Sequence, residues 1–325
     1  MVIQFICNFI ITLILLNIYL TKINHSLLLD RNPLGFGSKN KTKTASGVIF
    51  SIILIINYSY YFFDQSFSEF LPNRYYVFLI SIILLTIISF VDDLKPLDPS
   101  FRLVAQIIII YFSLSLINLY YFDIPLKLII FLYLIFWIYI VNITNFIDGS
   151  DGYLAVNAIS FLFGIIIINQ FFVNIFFSYN IAIVLLPILL SFIYFNKPKA
   201  KLYMGDTGSI LVGYIIGFCL LELISSKYWY LSIALYSYPI LDCSLTILKK
   251  ISLGKSVFNR NFSYFFQFPI VKKQSNNYKV LAISIIYNLF NLLIVYSILY
   301  LANPYLVILS VILSIIKIMI FTKVK

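Results

Sequence analysis

The sequence predicts an all-α membrane protein, a single polytopic bundle of ten or eleven transmembrane helices. Three observations predict it. The 325 residues are 62% hydrophobic and only 11% charged, whereas a soluble domain keeps about a quarter of its residues charged. Apolar runs of roughly 20 residues, the length that crosses a bilayer, recur along the whole chain. The basic residues fall almost entirely between alternate runs, the bias that marks the cytoplasmic loops of membrane proteins.

Eleven runs follow one another: 2–20, 45–63, 74–91, 102–120, 126–144, 153–172, 178–195, 209–226, 228–248, 279–300 and 303–321. No Lys or Arg precedes the first run, and Lys22 follows it. That is the reverse of a cleaved leader, so 2–20 reads as a retained span with its N-terminus outside. The sixth and seventh runs are expected to part at the weak polar break Ser178-Tyr179-Asn180. The last two part at Ala302-Asn303-Pro304, where proline stops a helix. On this topology 20 of the 23 Lys and Arg residues lie inside, and only Arg74, Lys127 and Lys227 lie outside. The expectation is a multi-pass protein of the inner (plasma) membrane, with a periplasmic N-terminus and a cytoplasmic C-terminus. The net charge of +11 is then mostly topological, with attraction to anionic membrane lipids as a second effect. Nucleic acid is not an expected partner. Cys7, Cys219 and Cys243 all lie in apolar runs without metal-ligand spacing, and read as small core residues.

Five of the twelve acidic residues stand in three short motifs at the ends of apolar runs: Asp92 and Asp93 in VDDLK, Asp148 and Asp151 in NITNFIDGSDG, and Asp206 in YMGDTGS. A carboxylate at the edge of hydrocarbon is costly, so such groups tend to line ion or substrate sites. All three motifs fall on the cytoplasmic side, as does the basic loop 249–278. Acids clustered in a basic, apolar chain point to a divalent cation and a phosphorylated substrate.

In VDDLK the adjacent carboxylates can share a cation, or one can stay protonated and act as an acid or base. The plainer alternative is a helix C-terminus ending in a polar turn at Lys95-Pro96. In NITNFIDGSDG the spacing of Asn142, Asn145 and Asp148 makes one polar stripe on a continuous helix. Gly149 and Gly152 break that helix and let the backbone approach a ligand. Asp151, just before the sixth run, is placed to cap a helix. In YMGDTGS the same alternatives stand for Asp206: an N-cap, or part of a Gly-rich anion site with free N–H groups. Asn196, Lys197, Lys199 and Lys201 lie just upstream and suit a diphosphate, while Tyr203 offers an aromatic face to a base. His25, the single histidine, reads as a solvated loop residue, so a histidine triad or His-rich metal site is not expected. Oxygen donors predominate, which favours magnesium, or manganese in its place. Glu222 and Asp242, inside the eighth and ninth runs, read as interhelical hydrogen-bonding groups.

VDDL, then N-x-x-N-x-x-D-G-x-D-G, then F-N-x-x-x-A-K-x-x-M-G-D-T-G-S, in this order and each at a cytoplasmic helix end, resembles the polyprenyl-phosphate N-acetylhexosamine-1-phosphate transferases. That membrane family also contains the phospho-MurNAc-pentapeptide transferases. The resemblance is strongest over 30–260, within one domain expected to span 1–325. It implies transfer of a sugar 1-phosphate, taken as an N-acetylhexosamine 1-phosphate, from a UDP-sugar to undecaprenyl phosphate or a similar polyprenyl phosphate. UMP is released, as the first membrane step of a cell-surface polysaccharide such as O-antigen. By resemblance, Asp92 and Asp93 match the acidic pair at the lipid-phosphate and catalytic end of the site. Asp206 matches a magnesium ligand, with Asn145 also near the metal. Asn142, Asn145, Asp148, Asp151 and Asn196 match nucleotide-sugar contacts, Lys201 joins them, and Tyr203 falls where an aromatic stacks on uracil. A homodimer is left open.

Two stretches depart from the family pattern. The first inside loop reads KTKTASG where many members carry P-T-P-R-x-G-G, and it retains Lys41, Lys43 and Gly47. The last large loop reads NRNFSYFFQ where members commonly carry H-x-H-H. Arg260 is the first candidate for the missing positive charge, followed by Lys255 and Lys250. This departure argues against the MurNAc-pentapeptide branch. It also leaves as an alternative a member that binds nucleotide sugar or lipid carrier without turnover; an ion-coupled transporter, the other alternative, would place its acids deep within spans rather than at one face.

Overall fold

The computed structural model describes residues 2–23, 28–29, 42–63, 72–118, 125–171, 175–254, 264–273 and 276–323. Its helices are α1 (Val2–Lys22), α2 (Gly47–Phe63), α3 (Pro72–Leu94), α4 (Pro99–Ser113), α5 (Leu126–Ile147), α6 (Tyr153–Gln170), α7 (Phe176–Asn196), α8 (Gly205–Ser225), α9 (Trp229–Ser252), the short α10 (Phe268–Lys273), α11 (Asn277–Tyr300) and α12 (Val307–Lys323). Among the described residues, ten helical stretches are long and apolar enough to cross a membrane, and α2 supplies a shorter apolar helix. The chain is an all-α multi-pass membrane bundle, as the sequence predicts.

Helix α8 is the axis of the bundle, buried along nearly its whole length and packed against α2, α3, α5 and α9. Its glycines allow this. A side chain at Gly213 would meet Val141 and Thr144 of α5, and one at Gly217 would meet the Trp137 ring. Small residues let membrane helices approach closely enough for dispersion to hold them, since lipid provides no hydrophobic drive. Trp137 then donates its indole N–H to the Tyr214 carbonyl at 2.8 Å. Outward-facing residues such as Ile6, Ile80, Phe131 and Leu289 are apolar and exposed, as a lipid-facing surface requires.

The structure moves several expected boundaries. The break between the sixth and seventh runs lies after Gln170, and Ser178-Tyr179-Asn180 is inside α7. Ser178 is held there by Glu222 of α8, which accepts its backbone N–H at 3.0 Å and its hydroxyl. Helix α8 begins at Gly205 rather than at 209, so Asp206 stands in its first turn. Cys219 and Cys243 are buried, but Cys7 is exposed on the bundle surface and is no core residue.

Candidate active site

The three acidic motifs meet around the N-terminus of α8. A helix start leaves unsatisfied N–H groups and a positive end of the dipole, and here the cap comes from another helix. Asp93, at the end of α3, accepts the Asp206 N–H at 2.9 Å and the Thr207 N–H at 3.0 Å, and the Thr207 hydroxyl at 2.5 Å. Both carboxylate oxygens are thereby engaged. Gly205 (φ +71) brings the backbone close enough, because a side chain there would collide with the Asp93 carboxylate. The start of α2 packs equally tightly, with Gly47 against the Gly208 backbone.

Asp92 turns the other way. Its Oδ1 accepts the Leu97 N–H at 2.7 Å and its Oδ2 meets Arg102 Nη1 at 2.5 Å. The same Nη1 lies 2.6 Å from Asp206 Oδ2. One guanidinium nitrogen thus joins the first and third motifs. Arg102 sits in the first turn of α4, whose N-cap Asp98 accepts the Ser100 and Phe101 N–H groups. Those bonds hold the Asp98 carboxyl below its ordinary range. A cation in a first turn opposes the helix dipole, and the two facing carboxylates offset that cost. One turn further along α4, buried Gln106 accepts the Asn142 amide at 3.2 Å. Asn145, one turn on from Asn142, accepts the Ser209 hydroxyl of α8 at 3.0 Å. Sequence reasoning assigned no site role to Arg102 or Gln106. The signal for the first was a cation at a helix start, and for the second a buried-span glutamine at i+4 from it.

Asp151 does not cap α6. Gly152 is the N-cap, left-handed at φ +72 with no side-chain cap bond. Buried Asp151 instead accepts the Lys199 N–H at 3.0 Å, the Ala200 N–H at 3.3 Å and the Tyr203 hydroxyl at 3.2 Å. Asn196 works beside it, accepting the Gly152 N–H at 3.0 Å and donating to the Leu202 carbonyl at 2.8 Å. The second motif is therefore stitched to the segment leading into the third. Half-buried Asp148 is the C-cap of α5, and Lys201 is exposed at the same face. Lys43 bridges to Leu202 and donates to the carbonyls of Leu20 and Ile23, so it caps the end of α1.

In the last loop, Gln267 packs against Gly149, where a side chain would strike its amide, and Phe266 stacks on Tyr153 with centroids 4.3 Å apart. Buried Lys250 lies over the Tyr264 ring at 5.6 Å. Burial pushes the Tyr264 phenol above its ordinary range. Arg260, Lys255, Lys41 and His25 lie outside the described residues.

No group of three or more His, Cys, Asp or Glu side chains forms a metal cluster among the described residues. The donors around Asp206 nevertheless suit a hard divalent ion. Asp206 and Asp92 already converge on one positive nitrogen, and Asn145 is tied to the same turn of α8. Carboxylate and amide oxygens are the ligands that magnesium and manganese take.

Fold and site together define a multi-pass membrane bundle with a cluster of charged and polar groups at one end of its helices. Residues 75–224 match the family described as glycosyl transferase family 4. A phospho-N-acetylmuramoyl-pentapeptide-transferase of Staphylococcus carnosus is 29% identical over 240 residues, which cover 65% of this chain and 73% of the relative. One from Thermotoga neapolitana is 26% identical over 226 residues, covering 66% and 71%. One from Leuconostoc citreum is 39% identical over 88 residues, covering 26% and 27%. The chain is similar to glycosyl transferase family 4 over that stretch, and is a phosphotransferase of the polyprenyl-phosphate phosphosugar kind. All three relatives carry the MurNAc-pentapeptide name, so the expectation that the chain stands apart from that branch gains no support from them.

Proposed function

We propose that the protein transfers an N-acetylhexosamine 1-phosphate from a UDP-sugar to undecaprenyl phosphate, releasing UMP, at the cytoplasmic face of the inner membrane. The single observation that carries the reading is Arg102 Nη1 between Asp92 and Asp206. Two segments about a hundred residues apart in sequence meet there, beside a helix N-terminus, where two anionic substrates need their charges compensated.

An oxygen of the lipid phosphate attacks the β-phosphorus of the UDP-sugar. The new O–P bond forms as the bond to the bridging oxygen breaks, and that oxygen leaves with UMP. Arg102 exchanges its carboxylate partners for phosphate oxygens, which a guanidinium grips at two points. The N-terminus of α8 directs its dipole at the same charge. Asp92 stands at the acceptor end. Asp93 acts through its cap, which holds Asp206 in position. Asp206 and Asn145 would hold magnesium or manganese, which supplies charge neutralisation of the diphosphate. Asn142 and Asp148 face the nucleotide sugar, as does Tyr203, while Asp151 and Asn196 keep the loops of that pocket joined. Lys201 adds positive charge beside it, and Arg260 is the candidate cation from the last loop. Positioning and electrostatics account for most of such a reaction.

The N-terminus is periplasmic and the C-terminus cytoplasmic on this reading. The whole of 1–325 serves one domain, and the product enters a surface polysaccharide such as O-antigen. In a chain cleared of Cys7, external thiol reagents modify Ser68→Cys and spare Ser256→Cys. The reverse pattern would put the site on the wrong side. Membranes containing the protein, given undecaprenyl phosphate and a panel of radiolabelled UDP-sugars, make a labelled lipid from UDP-N-acetylglucosamine. A different sugar in the lipid corrects the donor. Saturable nucleotide-sugar binding with no labelled lipid from any donor identifies a member without turnover, the reading that the histidine-free last loop favours.

A further inference from the structure

Asp242 and Lys317 lie outside the catalytic centre, in helices α9 and α12, and both are buried. Charges inside a membrane bundle are expensive unless they do something together. Among the described residues, Lys317 Nζ has no hydrogen-bond partner. It stands instead in a cage of rings, 3.8 Å from the centroid of Tyr238, 4.3 Å from Tyr287, 5.3 Å from Tyr153 and 5.7 Å from Phe321. Ring faces attract a desolvated cation most strongly. Tyr238 links it to Asp242, because its ring lies under the ammonium while its hydroxyl donates to Asp242 Oδ2 at 2.7 Å.

Asp242 passes the connection on. Its oxygens accept the Phe265 N–H at 2.8 Å and the Phe266 N–H at 3.2 Å, capping the short turn Phe265–Gln267. Phe266 stacks on Tyr153 with planes 11° apart, and Gln267 fills the space over Gly149. Tyr153 and Gly149 flank Asp151, so this chain of contacts runs from the C-terminal helix to the second acidic motif.

We propose that Asp242 and Lys317 are a paired positioning device, which seats the aromatic segment 264–267 against the Gly149–Tyr153 loop and so shapes the nucleotide-sugar pocket. The consequence for catalysis rests on the function proposed above; the structural coupling does not. Here the caged cation and the capping carboxylate hold in place the segment that carries no histidine. Tyr238 is their shared partner, its ring against the Lys317 Nζ and its hydroxyl on Asp242, so removing either group disturbs the seat of the other.

The test uses full-length protein in detergent, with Lys317→Met, Asp242→Asn and the double variant. Hydrogen exchange by mass spectrometry on Lys317→Met is expected to speed up at 264–267 and 149–153 while 205–209 stays at the wild-type rate. In transfer assays the same variant raises the UDP-sugar KM about tenfold and leaves the KM for undecaprenyl phosphate unchanged. The double variant recovers at least about threefold of that loss, because coupled neighbours are not additive. Unchanged exchange at 264–267, or a double variant worse than either single one, overturns the proposal. Where a single variant does not fold, a double variant that folds supports the pairing, and one that also fails to fold overturns it. Selective exchange in a protein whose wild type transfers nothing leaves the device standing and removes the proposed function.

Discussion

Asp93 accepts the backbone N–H groups of Asp206 and Thr207, at 2.9 and 3.0 Å, across 113 and 114 residues of sequence. The second carboxylate of the first motif is the cap of the helix that carries the third. Asp93→Ala removes this cap and the Thr207 hydroxyl bond together. Loss of a capping side chain costs about 1–2 kcal/mol, so thermal unfolding in detergent should show a lower Tm and transfer should fall with it. Asp93→Asn retains acceptor capacity and should fall between Asp93→Ala and wild type. A fully stable Asp93→Ala protein would contradict the cap.

Arg102→Met leaves Asp92 and Asp206 facing each other without their shared cation. The pair is part-exposed, so the stability cost is smaller than for a fully buried one, on the order of 1–2 kcal/mol. The two carboxylates then become a better divalent-ion site. Added magnesium should raise the Tm of Arg102→Met more than that of wild type, while transfer falls by more than about tenfold. Equal magnesium shifts in both proteins would separate Arg102 from the metal site.

The bundle was legible because apolar runs and basic loops are set by the bilayer, independent of tertiary detail. The site was legible only in part. Asp206 reads correctly as lying at a helix start, but the polar letters of Gly205-Asp206-Thr207 hide the first turn of α8, since its cap is Asp93 from α3. Asp151 has the position of an N-cap, and only the left-handed Gly152 turns its carboxylate toward Lys199 and Ala200. Arg102 was counted among the topological charges, because in sequence nothing separates a lysine that anchors a loop from an arginine that bridges two acids. Lys43, retained in the first inside loop, donates to the carbonyls at the end of α1, a contact that its place in the sequence does not announce.

Asp98 carries a pH signature. Its folded-state pKa is depressed by the Ser100 and Phe101 N–H bonds, so its stabilising contribution is present above the unfolded value of about 3.9. That contribution disappears as pH falls through the lower, folded value. Wild type should therefore exceed Asp98→Ala in Tm at neutral pH, with the gap closing at strongly acidic pH. A gap that widens on acidification would contradict the cap at the start of α4.

Arg260→Ala tests the basic side of the last loop. A charged contact to a diphosphate is worth several kcal/mol when desolvated, and a rim contact less. The UDP-sugar KM should rise about tenfold, whereas Lys272→Ala should change it little. Equal, small effects in both would assign the loop to topology alone.

On the proposed function, the β-phosphorus of a UDP-sugar moves to a lipid phosphate at the Asp92–Arg102–Asp206 centre. Two preparations of UDP-N-acetylglucosamine, labelled with 32P at the α or the β position, separate this from every neighbouring chemistry. With purified protein, undecaprenyl phosphate and magnesium, the β label should enter the lipid and the α label should leave as UMP, in equal amounts. Chelator should stop both, and folded Asp206→Asn should release neither. A β label recovered in UDP, or normal transfer by folded Asp206→Asn, would contradict the account.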